Sequence, residues 1–210
     1  MTTLLLAHRW SGSPDADWYP WLKRQLEAEG VRVLIPKMPD VHHPKIESWV
    51  STLQETLPTP NEKTYLIGHS IGCQAVLRYI ETLPANPTVG GLLLIAPWTK
   101  LKNQEEETPE ERAIAKPWME TPINWKKIFA RATNTRAIFS TDDPYVDYVS
   151  ESNIFRQKLN ANILIEENMG HFTSHDGINE LKIARDIIQE WGIFPEKGFA
   201  GKKKNSISDE

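Results

Sequence analysis

The sequence lacks several features that would assign a protein to particular classes. It has one cysteine, Cys73, so an internal disulfide is excluded, and no apolar run approaches the roughly 20 residues that a helix needs to cross a bilayer. Its 24 basic and 28 acidic side chains argue against a nucleic-acid partner. No positively charged segment precedes the short apolar stretch at 4–7, so we expect no signal peptide. We therefore expect a cytoplasmic protein that binds neither nucleic acid nor a membrane.

Apolar segments of two kinds alternate along the chain. Continuous short runs, which are typical of strands covered on both faces, occur at 2–7, 31–35, 65–67, 89–96, 135–140 and 162–166. Segments with helical spacing separate them, the first of which we expect Asp17 to cap. The alternation predicts an α/β fold with a parallel sheet of about six strands and helices on both faces. We assign residues 1–197 to one domain with a short cap-like insertion near 99–121, and expect 198–210 to be disordered.

Residues 63–79, KTYLIGHSIGCQAVLRY, predict a strand, a tight turn and a helix, with Ser70 at the turn. A serine that presents its hydroxyl above the end of a sheet needs a cramped turn, and Gly68 and Gly72 avoid collisions with the strand and the helix. The first amide of the helix, that of Ile71, would stabilise a negative charge that forms near the hydroxyl. A bare G-x-S-x-G also occurs by chance in surface turns, but its flanking strand and helix favour a nucleophilic serine.

Polar residues follow other predicted strands, at the edge where parallel sheets carry their sites. A serine hydroxyl needs an imidazole to take its proton and a carboxylate to orient that imidazole. Asp143 and His171 follow the last two predicted strands, and the order Ser70, Asp143, His171 is that of the α/β-hydrolase fold. We predict these three as the catalytic residues. His171 is preferred to the five other histidines because it follows the last strand and comes after Gly170, which leaves room for the ring.

The neighbouring polar residues leave alternatives open. Asp142 adjoins Asp143; we assign it to stabilising the turn, while both could serve only as turn formers. Asp40, His42 and His43 share a proline-flanked loop, for which we favour a solvated loop over a metal site. We predict no metal and no cofactor.

The second amide of an oxyanion hole should come from the loop after the first strand, and Trp10 is our prediction for it, beside that of Ile71. The side chains of Trp98 and Trp118, with the ring of Trp10, are expected to line an acyl pocket; the alternative is that they fill the core or the rim. Cys73 falls on an apolar helix face and is expected to pack rather than react.

These residues resemble the small serine hydrolases grouped with retinoblastoma-binding protein 9, and more closely the bacterial members of that group, within the α/β-hydrolase superfamily. The resemblance covers nearly the whole chain, and its more specific pieces are W-x-P-W-L at 18–22, G-H-S-I-G-C at 68–73 and G-H-F at 170–172. It implies a compact α/β-hydrolase without a large lid, with Ser70 as nucleophile, Asp143 as acid and His171 as base. It also implies esterase or peptidase-like activity on small acyl substrates.

The chain departs from the family pattern in two places. The common His-Gly pair after the first strand is His8-Arg9, which bears on the second oxyanion donor, and the L-x-C-x-E segment tied to retinoblastoma-protein binding is absent. The leading hypothesis is a serine hydrolase that cleaves a small carboxylic ester, thioester or amide through an acyl-enzyme. Arg9 and the acidic segment 105–107 motivate an alternative, a catalytically weak binding or scaffold protein with this fold.

Overall fold

Six parallel strands form one sheet at the centre of the computed structural model, which describes residues 1–84, 88–102, 107–132 and 134–194. The strands are β1 (Thr3–Ala7), β2 (Arg32–Leu34), β3 (Thr64–His69), β4 (Gly91–Ile95), β5 (Thr135–Ser140) and β6 (Asn162–Glu166). Each lies on a predicted apolar run, with ends that differ by at most a few residues. The segment 198–210, for which the sequence predicts disorder, lies outside the described residues.

Seven α-helices connect or follow the strands within the described residues. They are α1 (Tyr19–Ala28), α2 (Ile46–Thr56), α3 (Ile71–Thr82), α4 (Pro109–Glu120), α5 (Trp125–Phe129), α6 (Tyr148–Leu159) and α7 (Lys182–Glu190). A short 3-10 turn, Ser174–Asp176, lies between β6 and α7.

The strand order, β2-β1-β3-β4-β5-β6, reverses direction between β1 and β3. The chain moves one way from β1 to β2 and the opposite way in every later step. Because crossover connections are right-handed, α1 lies on the opposite face of the sheet from the helices of the later crossovers. Such a reversal opens a crevice at the carboxyl ends of the two strands, where open α/β sheets bind ligands. The residues after β1 and β3 therefore lie at the place where a site is expected.

The middle of the sheet is buried on both faces, which explains why its strands are continuous apolar runs. Leu4–Leu6 of β1 and Leu92–Leu94 of β4 have no solvent exposure. Burying a leucine side chain stabilises the fold by roughly 1.5–3 kcal/mol, so these two strands alone supply much of the hydrophobic stabilisation. The edge strand β6 is partly exposed instead.

One local prediction differs from the structure. Asp17 does not cap α1: its backbone has a φ of 52°, its carboxylate binds Arg9, and Trp18 is the residue that precedes the helix. The insertion near 99–121 contains the helix α4, which begins with a capping box in which Thr108 and Glu111 bind each other's backbone amides. Pro109 occupies the first helical position of α4, where proline is tolerated.

Candidate active site

Ser70 lies at the turn between β3 and α3, with a backbone φ of 55° and ψ of −122°. This strained conformation persists because the surroundings impose it: a side chain at position 68 would come within 2.4 Å of the Cα of Cys73, and one at position 72 within 2.2 Å of the carbonyl oxygen of Ala7. The two glycines thus let the helix start close beside β1 and β3. Ser70 keeps 7% of its surface exposed, and it borders a cavity of about 670 Å³.

Asp143 and His171 are in direct contact. The Nδ1 atom of His171 lies 2.7 Å from the Oδ2 atom of Asp143, and the two residues are 6% and 1% exposed, respectively. The other carboxylate oxygen accepts hydrogen bonds from the amides of Tyr145 and Val146, which fixes the carboxylate on the turn after β5. Because a carboxylate accepts, Nδ1 carries the proton, and Nε2 is the nitrogen that can take one up. His171 borders the same cavity as Ser70.

Asp142 does not contact the imidazole but holds the loop that carries it. Its Oδ1 atom accepts hydrogen bonds from the Ser140 hydroxyl and the Gly170 amide, at 2.7 and 2.9 Å. These bonds, that from Ser140 foremost, lower the pKa of the Asp142 carboxyl. Asp142 therefore stabilises the turn, and Asp143 is the acid in contact with the histidine.

The loop around His171 is built on a second carboxylate, that of Asp176, which the sequence analysis missed. Its Oδ2 atom accepts from the amides of His171 and Thr173 and from the Thr173 hydroxyl. Gly170 has a φ of +53°, and a side chain there would approach the Cγ atom of Asp176 to 2.3 Å. The glycine thus makes room for this carboxylate rather than for the imidazole. The T-x-x-D spacing of a capping box at 173–176 was the available signal.

His69 connects the turn that carries Ser70 to the base loop, residues 170–177, which carries His171. Its Nε2 atom donates to the carbonyl oxygen of His171 at 2.8 Å, and its Nδ1 atom accepts from the Tyr19 hydroxyl at 2.6 Å. Burial, followed by the neighbouring His171, lowers the pKa of His69 to about 3. His69 is therefore neutral and packs beside the turn, and its imidazole is fully occupied by structural hydrogen bonds.

Comparisons with known proteins agree with this geometry. Residues 4–190 match the sequence model of the family described as Serine hydrolase. The chain belongs to the serine hydrolase family. It is 31% identical to the Bacillus subtilis protein YdeN over 89% of this chain and 94% of that protein, and 27% identical to the Rattus norvegicus serine hydrolase RBBP9 over 81% and 86%.

Solved structures confirm the fold. The B. subtilis ydeN gene product superimposes with a TM-score of 0.82 at 29% identity, over 91% of this chain and 99% of that one. A carboxylesterase of the Thaumarchaeon Nitrososphaera gargenis, at 16% identity, shares the fold with a TM-score of 0.66 over 90% and 89%. The serine hydrolase described here is thus an enzyme with the α/β-hydrolase fold, as the sequence predicted. No helix among its described residues is long and apolar enough to cross a membrane.

Two backbone amides near Ser70 in the predicted site have no hydrogen-bond acceptor among the described residues. Ile71 is the first residue of α3, so its amide has no acceptor within the helix, and among the described residues neither this amide nor that of Trp10 donates to a protein group. The Arg9 amide, by contrast, donates to the Tyr19 hydroxyl. Trp10 therefore remains the candidate for the second donor despite the unusual arginine beside it.

The predicted pocket tryptophans occupy different places. Trp98 borders the cavity, and its Nε1 atom lies 3.4 Å from the Oγ atom of Ser70; Trp10 also borders the cavity. Trp118 does not: it is buried against Trp49, and its Nε1 atom donates to the carbonyl oxygen of Pro44. Trp118 is a core residue, which is the alternative that the sequence left open.

The remaining candidate residues, His42, His43 and Cys73, bind neighbouring protein groups or are buried. His43 contacts Asp40 and Glu110, whose hydrogen bonds raise its pKa, and His42 contacts the Ser11 hydroxyl. In the described part of the chain no three histidine, cysteine or acidic side chains are grouped so that they could hold a metal ion. Cys73 is buried, which raises the pKa of its thiol.

Proposed function

We propose that this serine hydrolase cleaves small carboxylic esters or related acyl substrates, with Ser70 as nucleophile, His171 as base and Asp143 as the acid that orients it. The observation that carries the proposal is the 2.7 Å contact between Asp143 and His171 beside a cavity that also exposes Ser70. An oriented imidazole next to a serine on a strained turn is the arrangement that acyl transfer requires.

The reaction follows from the protonation states of these groups. The Nε2 atom of His171 takes the Ser70 proton while Oγ attacks the carbonyl carbon, and the resulting oxyanion is held by the Ile71 and Trp10 amides. The imidazolium, stabilised by the Asp143 carboxylate, gives its proton to the leaving group as the carbon–oxygen bond breaks. Water then attacks the acyl-enzyme with the same imidazole as base, which releases the acid and restores Ser70.

Arg9, which motivated the alternative of a weakly catalytic binding protein, has its charge compensated. Its Nε and Nη2 atoms contact both carboxylate oxygens of Asp17, at 2.7 and 3.3 Å, and Nη1 donates to the Trp10 carbonyl. Asp17 in turn accepts from the Ser174 amide and so joins the loop after β1 to the base loop. The arginine therefore supports the loop that carries the second oxyanion donor.

Hydrolysis of p-nitrophenyl acetate by the purified protein tests this proposal. Ser70→Ala should lower kcat by about 10³-fold or more, because the acyl-enzyme cannot form, and His171→Ala should do the same. Ser150→Ala changes an exposed serine on α6 and serves as the matched control with unchanged activity. Equal turnover by the wild type and Ser70→Ala would contradict the proposal.

We also propose a small acyl compound as the partner of this site and the cytoplasm as its location. The support is the cavity beside Ser70, which holds about 670 Å³, and the single cysteine of the sequence. Fractionation of cells that express the tagged protein tests the location, since recovery in the membrane fraction would contradict it.

A further inference from the structure

The side chain of Trp98 contacts the proposed nucleophile and has no role in proton transfer. It follows β4, which neighbours the Ser70 strand in the sheet, and its Nε1 atom donates to the Ser70 Oγ atom at 3.4 Å. Only 1% of its surface is exposed, yet it forms part of the cavity wall. A bulky indole thus occupies the space on one side of the reacting oxygen.

The backbone that carries the indole is fixed by buried hydrogen bonds. The Nε2 atom of Gln74, on α3, donates to the Trp98 carbonyl oxygen at 2.7 Å. The buried carboxylate of Glu151, on α6, accepts from the Thr99 amide, the Thr99 hydroxyl and the Lys100 amide, at 2.8, 3.0 and 3.1 Å. These bonds fix the backbone at residues 98–100, because breaking them would leave buried groups unpaired, which is costly. The indole itself is enclosed by its surroundings, since only 1% of Trp98 is exposed.

Elementary geometry decides which part of a substrate meets this wall. When Ser70 Oγ attacks a carbonyl carbon, that carbon carries three other substituents: the oxyanion, the leaving group and the acyl chain. The oxyanion faces the Ile71 and Trp10 amides, and the leaving group faces His171, which protonates it. The acyl chain takes the third direction. Trp98 contacts Oγ and is part of neither the oxyanion side nor the leaving-group side, so its indole faces the acyl chain.

Beside His171, on the side where the leaving group lies, the cavity is lined by Tyr145. Pro144, Thr173 and Ile114 of α4 line the same cavity. Tyr145 packs edge-on to the His171 ring, with centroids 5.0 Å apart, and keeps half of its surface exposed. An aromatic or other bulky alcohol would find apolar and aromatic surface there.

We infer that Trp98 is the specificity-determining residue of this site, which restricts it to short acyl groups while it accepts bulky leaving groups. This inference rests on the proposed function, since it assigns the two halves of an ester to two sides of Ser70. A hydrophobic pocket that is too small by a few carbon atoms discriminates by about 10- to 200-fold. We expect discrimination of that size between esters that differ only in which half is bulky.

Two isomeric esters test the inference with the protein as it is. Benzyl acetate carries its ring on the leaving group and methyl phenylacetate on the acyl group, while their leaving alcohols are of nearly equal acidity. The wild type should show kcat/KM at least about tenfold higher for benzyl acetate. Equal values, or a preference for methyl phenylacetate, would overturn the assignment of Trp98 to the acyl side.

Variants separate the bulk of Trp98 from its hydrogen bond. Trp98→Ala, and Trp98→Leu as a milder truncation, should raise the relative kcat/KM for methyl phenylacetate by about tenfold, whereas Trp98→Phe keeps most of the bulk and should keep the preference. Trp191→Phe is the matched control, since Trp191 stacks on Tyr65 and does not border the cavity. An unchanged preference in a folded Ala or Leu variant would overturn the inference.

Labelling of Ser70 by a fluorophosphonate distinguishes a failure of this inference from a failure of the proposed function. A protein that is labelled at Ser70 but hydrolyses both isomers equally fast is a serine hydrolase whose acyl site is not limited by Trp98. A protein that is neither labelled nor active on either ester contradicts both proposals.

Discussion

The two oxygens of the Asp143 carboxylate have separate tasks. One accepts from the Tyr145 and Val146 amides and fixes the side chain on its turn, and the other accepts from His171. The carboxylate is therefore held by the backbone before the histidine contacts it. This arrangement determines the tautomer of His171 and leaves its Nε2 atom toward the cavity, which is the state a general base needs.

His69 is a buried histidine whose neutral form is built into the structure. Its Nε2 atom donates to the His171 carbonyl and its Nδ1 atom accepts from the Tyr19 hydroxyl, so a proton on Nδ1 would force the hydroxyl hydrogen away from its acceptor. Its pKa in the folded protein is about 3, compared with 6.5 for an ordinary histidine. The unfolded chain therefore binds more protons than the folded one between these two values, and stability is lost as the pH falls through this range.

We predict that the free energy of unfolding, measured with urea, decreases between pH 6.5 and pH 4. The contribution of His69 to this slope should approach about 1.4 kcal/mol per pH unit. His69→Gln, whose amide can still donate to the His171 carbonyl, should show a shallower slope. His8, whose pKa is also lowered by burial, accounts for part of the remaining slope. Equal slopes in the wild type and His69→Gln would contradict a neutral buried His69.

At the residue scale, sequence patterns predicted the site residues at the strand ends but not the contacts between residues that are distant in the chain. Ser70, Asp143 and His171 each follow a strand and carry a local signal, and the structure brings Asp143 to His171 and opens Ser70 to the same cavity. Tyr19 binds His69 through a contact that tertiary folding creates, and a pattern along the chain does not reveal such a contact. The contacts of Asp176 are local, and the T-x-x-D spacing at 173–176 could have revealed them.

The base loop, residues 170–177, is the element on which the position of His171 depends. It has hydrogen bonds to Asp142 before it, to Asp176 within it, and from Ser174 to Asp17 in the loop after β1. A displacement of about 1 Å at a catalytic group can cost about 100-fold in rate. Changes in this loop should therefore affect kcat even where they touch no substrate.

Two glycines of this loop allow a matched comparison. Gly170 and Gly177 both have a positive φ, but a side chain at 170 would collide with Asp176, whereas one at 177 would meet nothing within 4 Å. Gly177→Ala should cost about 1 kcal/mol of stability from backbone strain alone. Gly170→Ala should cost more and lower kcat by about tenfold or more, because it displaces the carboxylate that holds the His171 amide.

Thermal unfolding and ester hydrolysis, measured on both alanine variants, check this prediction. Similar melting temperatures and similar kcat values for the two variants would show that Asp176 does not position the base loop.

At the element scale, strands were easier to predict than the insertion after β4. Apolar runs mark the central strands because both faces of the sheet are covered there. The sequence predicted a cap-like insertion near 99–121 but no helix within it, although Thr108, Pro109 and Glu111 form the start of α4. Pro117 is accommodated within α4, since a tertiary context can override local preference.

On the scale of the whole molecule, the strand order concentrates the chemistry. The order of the strands reverses between β1 and β3, so the loop of Trp10 and the turn of Ser70 open at the same crevice. The parallel strands β4, β5 and β6 bring Trp98, Asp143 and His171 to the same edge of the sheet. Alternating strands and helices predict a parallel sheet with its site at this edge. They do not reveal where the order reverses, because that depends on which strands pair.

The central claim is that Ser70 is a nucleophile activated by His171, and covalent labelling tests it most directly. A fluorophosphonate forms a bond between phosphorus and the attacking oxygen, fluoride leaves, and the base takes up the serine proton. Intact-mass measurement and peptide mapping should find one adduct per chain, located on Ser70, absent in Ser70→Ala and formed far more slowly in His171→Ala. A folded wild-type protein that stays unlabelled, or one labelled at another residue, would contradict the account.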